Sequence, residues 1–287
     1  MESTTRFEAE VARRHTPDIA WPTIFLLAGC YVLWLGASAL ALAGLLPLWL
    51  AMIANTVALY AIYTPVHDGS HSAVVPRNKR LRWVNTAVGT LAAFPIFMYF
   101  HTHRKSHNIH HAKTNAPGDP DTFLMGNFWA VVLLKTPWSL VNQLNGVKLW
   151  QSCRTLKLTP AERRDTLIAY AVTVALLVGL IVAGYGYELA MLWLIPWFVG
   201  EHVMEVTFGW FPHHDHSETG RYRDTRIALF PGGDLLLLQQ NLHLIHHMLP
   251  VVPFYRYRAV FDELRPTLLA HGARIEGFWP GSRPTAA

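Results

Sequence analysis

Four stretches of the chain are apolar over the length a helix needs to cross about 30 Å of hydrocarbon. They run from about Ile19 to Ala43, Trp49 to Val66, Leu167 to Ala183 and Leu189 to Trp210. They come in two pairs, with Gly44 to Pro47 as the turn inside the first and Gly184-Tyr185-Gly186-Tyr187 as the turn inside the second, because glycine and proline punctuate helical pattern. A fifth apolar stretch, Trp83 to Phe100, contains Pro95 and is bounded by basic and histidine-rich sequence. It reads as a re-entrant or interfacial piece that returns to its starting side, with its irregular backbone covered by protein. From Phe128 to Trp150 apolar and aromatic residues mix with Lys135 and Lys148, the pattern of one amphipathic helix on a membrane surface or of a packed cytosolic helix. Beyond Trp210 the chain is more polar, and helical pattern returns only near Tyr257 to His271.

Composition agrees with a bilayer solvent: 52% of the 287 residues are hydrophobic and 15% charged, against roughly a quarter charged in soluble domains. If both termini lie on one side, all 24 Lys and Arg residues share that side and the two opposite turns carry none, which makes that side cytoplasmic and the protein one of a bacterial inner membrane. A soluble helical protein would rarely bury runs this long without charge. The expected fold is therefore all-α: a polytopic integral membrane protein with four transmembrane helices, re-entrant or interfacial helices and a cytosolic histidine-rich cap. Residues 1–287 read as one domain, with a cytosolic N-terminal segment over about 1–18 and the cap over about 211–287. The first twenty residues are polar and the apolar run after them exceeds a signal-peptide core, so no cleaved signal is expected. Cys30 and Cys153 are the only cysteines, too few for a disulfide framework or an iron–sulfur ligand set.

Histidine is the anomaly. Of 16, all but His15, His202 and His271 fall in four clusters. His67 and His71 lie where the second span leaves the membrane, four residues apart and so on one face of a continuing helix. In the second cluster, which also holds His101 and His103, residues His107, His110 and His111 have i, i+3, i+4 spacing, and His243, His246 and His247 repeat it near the C-terminus. These eight are the candidate metal ligands. His103, together with His213 and His214 of a fourth group (His213-His214-Asp215-His216), are weaker candidates. Eight or more imidazoles exceed what one tetrahedral metal accepts, which favours two metals, while imidazole alone does not choose among Fe, Zn, Cu and Ni. Asp68, Asn115, Asp119, Asp121, Asp215 and Asn241 stand close by in sequence and are candidates to hold the second nitrogen of a ligating ring. Ordinary turn chemistry explains the run Asn115 to Asp121 equally well.

Several chemistries lack their motifs. No His-Glu-x-x-His is present, and no glycine-rich dinucleotide or nucleotide cradle, so electrons must come from an external donor. A divalent-metal transporter would place ionisable residues within its spans, where only Glu201, His202 and Glu205 occur. A zinc-dependent membrane hydrolase is a further rival, distinguished by indifference to oxygen. Nothing in the sequence points to nucleic acid.

Over about Val66 to Pro250 the sequence resembles the membrane fatty acid desaturase superfamily. The stretches His67 to His71, His107 to His111 and His243 to His247 look like its three histidine boxes, in the family's order relative to the spans. In wording, His67-Asp68-Gly69-Ser70-His71, His107 to Asn115, Asp119-Pro120-Asp121 and Phe211-Pro212-His213 look most like bacterial and cyanobacterial beta-carotene hydroxylases. The resemblance implies a non-haem pair of iron ions cycling between Fe2+ and Fe3+, O2 as co-substrate, and reducing equivalents from a ferredoxin- or cytochrome-type donor. The substrate it implies is a membrane lipid or carotenoid. Ring hydroxylation of a beta-carotene type is the leading expectation, with fatty acyl desaturation or hydroxylation as the alternative.

Overall fold

The computed structural model describes residues 2–285. Four helices are long and apolar enough to cross a membrane: α2 (Trp21–Leu42), α3 (Leu48–Ser70), α8 (Pro160–Val182) and α9 (Gly186–His213). They coincide with the four apolar stretches, but three extend beyond them. Helix α3 continues past Val66 and α9 past Trp210, so histidines ride on the last turns of both. Helix α8 starts seven residues before the apolar run because Thr159 caps it. The Thr159 hydroxyl accepts the Glu162 N–H and Glu162 returns a carboxylate to the Thr159 N–H, a reciprocal cap followed by proline at the first helical position.

Helix α3 packs between α2 and α9, and the apolar core between them includes Leu59, Ile62, Val66, Trp193, Trp197 and Met204. A proline fixes one polar contact there. Pro196 has no N–H to offer the Leu192 carbonyl four residues earlier, and the preceding turn, Ala190–Leu194, widens into a π-helix. The freed carbonyl instead accepts from the Asn55 amide at 2.8 Å and the Trp34 indole at 3.2 Å, which ties α3 and α2 to α9. Outward, Val32, Leu35, Ile53, Val57, Val178 and Val182 are exposed. In water such a surface would be costly; against acyl chains it is the solvated state.

Between the pairs, α4 (Trp83–Ala93) runs into a 3-10 turn at Phe94–Ile96 and then α5 (Phe100–Lys113), bent from it by 103°. Phe97 takes a left-handed conformation at the corner, and the Pro95 carbonyl accepts the Trp193 indole N–H at 2.7 Å. Gly89 faces the Phe100 ring so closely that a methyl group there would overlap it. By length and composition the bent pair fits either a broken span or a re-entrant segment, and the bend aims α5 with its histidines across the end of α3.

The expected single helix from Phe128 to Trp150 is two. Helix α6 (128–143) includes a π-helical stretch at Val131–Lys135. A break follows at Asn145, whose side chain accepts the Val147 and Lys148 N–H groups and caps α7 (Gly146–Thr155). Asn-Gly is a turn signal that the amphipathic pattern overran. Trp129, Leu133, Leu134, Trp138, Val141 and Val147 face outward from the pair, as on helices lying in a membrane interface.

The cap follows α9. Strand β1 (Arg226–Ala228) pairs in parallel with β2 (Arg274–Glu276), and between them lie α10 (His243–Met248) and α11 (Tyr257–Ala270). Helix α1 (Glu2–His15), which hydropathy leaves as a polar segment, buries Val11 and Ala12 in a core with Tyr257, Phe261 and Leu264. Its buried Glu8 accepts from Arg221 and Tyr222. Arg226, wholly buried, donates to the Phe211, Gly277 and Phe278 carbonyls, which fastens the cap to the end of α9.

Candidate metal centre

Four segments far apart in sequence deliver imidazoles to one place. The last turn of α3 and its cap supply His67 and His71; α5 supplies His107, His110 and His111; the end of α9 supplies His213; α10 supplies His243, His246 and His247. The ring nitrogens of His67, His71, His107 and His246 lie within 4.8 Å of one another, as do those of His110, His213 and His247, and those of His111, His246 and His247. His246 and His247 thus sit where the sets meet.

The Nε2 atoms face one another. His246 Nε2 is 2.9 Å from His67 Nε2 and 2.8 Å from His111 Nε2; His107 and His111 approach at 3.3 Å, His213 and His243 at 3.1 Å, His110 and His247 at 3.4 Å. A neutral imidazole has one lone pair and one N–H, and several Nδ1 atoms already have oxygen partners. His110 Nδ1 is 2.9 Å from Asp119 and 3.5 Å from Asp121, His246 Nδ1 3.0 Å from the Tyr257 hydroxyl, His243 Nδ1 3.3 Å from Gln240 and His247 Nδ1 3.3 Å from Thr114. With the proton on Nδ1, lone pairs converge in the interior, an arrangement that repels itself unless a cation sits between them. Three of the five separations, 3.1–3.4 Å, fit one, since nitrogens about 2.1 Å from a metal stand roughly 3.0–3.4 Å apart in octahedral or tetrahedral geometry, and the two at His246 are slightly shorter. His71 Nε2 is buried without a partner among the described residues. Burial drives His243, His246 and His247 well below the usual imidazole range, with neighbouring histidines adding to it. These three rings are therefore neutral, the form that ligates.

The carboxylates divide differently from expectation. Burial alone would raise the Asp119 carboxyl, but His110 and the Asp121 and Asn115 N–H groups hold it below the usual range; it is an ionised acceptor beside a ring N–H. Asp68 instead accepts from the Thr23 hydroxyl at 2.6 Å and the Phe254 N–H at 3.3 Å, linking α3 to α2 and to the cap. Asn115 donates to the Glu218 and Asp224 carbonyls, Asn241 to the Ala228 carbonyl and Asp234, and Asp215 accepts from Ser217. These four residues organise loops rather than rings. Tyr257, Gln240 and Thr114 take positions that sequence proximity gave to the acids. Gln240 alone carried a local signal, three residues before His243; Thr114, just past the end of α5, reaches His247 across the fold.

The weaker histidine candidates also separate. His213 lies inside the cluster. His214 turns away from the cluster, its ring against Trp210 at 4.5 Å. His103 stacks on His107 at 5.3 Å and stands at the edge of a cavity of about 290 Å³ whose wall includes His67, His107, His110, His213, Phe208 and Leu124. The centre therefore adjoins a space where part of a ligand could sit beside it.

The fatty acid desaturase family model matches residues 43–279. The chain is similar to the sn-1 oleoyl-lipid 12-desaturase of Picosynechococcus sp., at 26% identity with 87% of this chain and 77% of that protein covered. It is also similar to the sn-1 oleoyl-lipid 12-desaturase of Anabaena variabilis, at 25% identity and 80% and 72% coverage. With the chloroplastic omega-6 fatty acid desaturase of Brassica napus it shares 27% identity, over 86% of this chain and 60% of that one.

Proposed function

The chain belongs to the fatty acid desaturase family, and from that premise we propose that it removes hydrogen from, or hydroxylates, a long membrane lipid with O2 at a pair of histidine-held iron ions. That it is an oxidoreductase and an integral membrane protein with a lipid substrate follows from the family and the four spans. The observation that carries the finer reading is the convergence of Nε2 atoms from α3, α5, α9 and α10, backed by oxygen partners on Nδ1.

In this reading His67, His71, His107 and His246, with His111, hold one ion, and His110, His213 and His247, with His243, hold the other. Iron so held supplies the power to oxidise an unactivated C–H bond with dioxygen. The rest is the work of the chain. Asp119, Tyr257 and Gln240 fix ring tautomer and direction, the cap over the ends of α3 and α9 excludes water, and the cavity walls hold the substrate carbon in place. Reducing equivalents come from a ferredoxin- or cytochrome-type donor. Residues 1–287 act as one domain, with the boxes and both termini on the cytoplasmic face of a bacterial inner membrane, the side that carries the Lys and Arg residues.

Acyl-chain desaturation is the first substrate reading, supported by what the similar proteins are named for. The carotenoid lean drawn from box wording has no counterpart among those names and becomes the second, favoured by Asp119-Pro120-Asp121 and Phe211-Pro212-His213. The test is expression in a carotene-producing bacterium, with acyl and pigment profiles set against a His110→Ala control. New unsaturated or hydroxylated acyl chains that vanish in the control establish the first reading. New polar carotenoids that vanish establish the second, and unchanged profiles in both lipids and pigments overturn the proposal.

A further inference from the structure

The cavity beside the histidines adjoins a second of about 490 Å³ that reaches α6 and α7. Six residues line both: Met98, His103, Ser106, Phe123, Ser139 and Glu205. Four of the six are polar, although they surround the route by which an apolar chain would reach the centre. An alkyl chain threading that neck would desolvate them without offering a hydrogen bond, at a cost for each.

Glu205 is the sharpest case. It opens the π-helical turn Glu205–Trp210 of α9, and such turns recur at functional sites. The Ser139 hydroxyl donates to its Oε1 at 2.7 Å, while its Oε2 is buried without a partner among the described residues. His103 Nε2, at the same neck, is likewise buried and unpartnered. One turn away, Thr136 and His202 join the same two helices at 2.8 Å, yet neither lines either of these two cavities. Holding α6 to α9 therefore does not require the polar groups to face the neck; Ser139 and Glu205 do so in addition.

We infer that Glu205, with Ser139, is a polar subsite for a hydroxyl group carried by the lipid substrate, set apart from the carbon that is oxidised. A hydroxyl can donate to a carboxylate oxygen and accept from a neighbouring donor, and it stays neutral. An ammonium at the depth of a transmembrane helix would bring a desolvation cost that a hydroxyl avoids. The substrate class becomes a long lipid with a hydroxyl along its length or at its far end. This rests on the lipid-oxidising reading above and narrows it.

The experiment uses the metal-loaded protein in phosphatidylcholine nanodiscs and compares binding of octadecanol, octadecane and octadecylamine. The subsite predicts that octadecanol binds about tenfold more tightly than octadecane, the weight of one buried hydrogen bond. In Glu205→Leu the ratio falls to near one, and in the milder Ser139→Ala it falls part of the way, with iron content unchanged in both. Equal binding of octadecanol and octadecane, tighter binding of octadecylamine than of octadecanol, or an unchanged ratio in both variants overturns the inference. The oxidation assay is separate. Preference for octadecanol without oxidation of any lipid retains the subsite and removes the functional reading; oxidation of plain acyl lipids without the preference does the reverse.

Discussion

At the scale of residues, the account turns on which ring nitrogen carries the proton. Tyr257 is buried and its hydroxyl is 3.0 Å from His246 Nδ1, so Tyr257→Phe leaves the ring packed but unpaired. Iron affinity is expected to fall about 10- to 100-fold, read by titrating Fe2+ into the metal-free protein, with helix content by circular dichroism unchanged. Unaltered affinity would remove Tyr257 from the centre. The histidines that converge were legible in the sequence because i, i+3, i+4 spacing is local: it survives in any fold that keeps the helix. Their partners were not. Asp68 and Asn241 stand beside boxes in sequence yet bond Thr23 and Ala228, while Tyr257 and Thr114 reach rings through tertiary folding that no spacing encodes. Asp119 and Gln240 are the exceptions, since the loop that returns Asp119 to His110 is short and Gln240 lies three residues before His243.

Elements hold these residues through close contacts. Gly69, between the two histidines of α3, would direct a methyl group to 2.9 Å from the Asn85 carbonyl oxygen and 3.1 Å from the Gly89 Cα, both backbone atoms of α4 that cannot rotate away. Gly69→Ala should therefore push α3 off α4 and lower iron content at least several-fold even though every ligand is retained; full iron occupancy would show that the helices have slack. In the cap, Arg258 donates to both oxygens of Asp234, at 2.6 and 2.8 Å. Burial alone would raise the Asp234 carboxyl, but Arg258 and Asn241 hold it below its usual range. A carboxyl depressed in the folded state binds fewer protons there than when unfolded. Its stabilisation is thus complete above the unfolded value of about 3.9 and is lost as pH falls through the folded value. Thermal melts from pH 6 to pH 3 should show an acid loss of stability that is smaller in Arg258→Gln; equal slopes would assign it to other groups. Element boundaries were legible where hydropathy marked them and missed where caps did, at Thr159 and Asn145.

For the molecule as a whole, the two apolar helix pairs, the bent segment between them and the position of the boxes at the ends of spans could all be read from hydropathy, because length and the absence of charge are what a bilayer selects. The packing of α1 on the cap could not, since its apolar face is only Val11 and Ala12 wide among charged residues. The proposed topology, with both termini cytoplasmic, predicts that a reporter enzyme active only in the cytoplasm works when fused at either end of the chain and fails in the 43–47 turn. Activity at that turn would invert the topology.

One histidine cluster is proposed to hold a metal pair that oxidises lipid. It is tested most directly by iron content per chain in the purified protein alongside oxygen-dependent change in the host's lipid profile, for the wild type and for His246→Ala, which removes a ring that groups both with His67, His71 and His107 and with His111 and His247. Close to two irons and oxidised lipid are expected in the wild type, with iron lowered and lipid oxidation lost in the variant while the protein still inserts in the membrane. Iron and lipid oxidation undiminished in His246→Ala would contradict it.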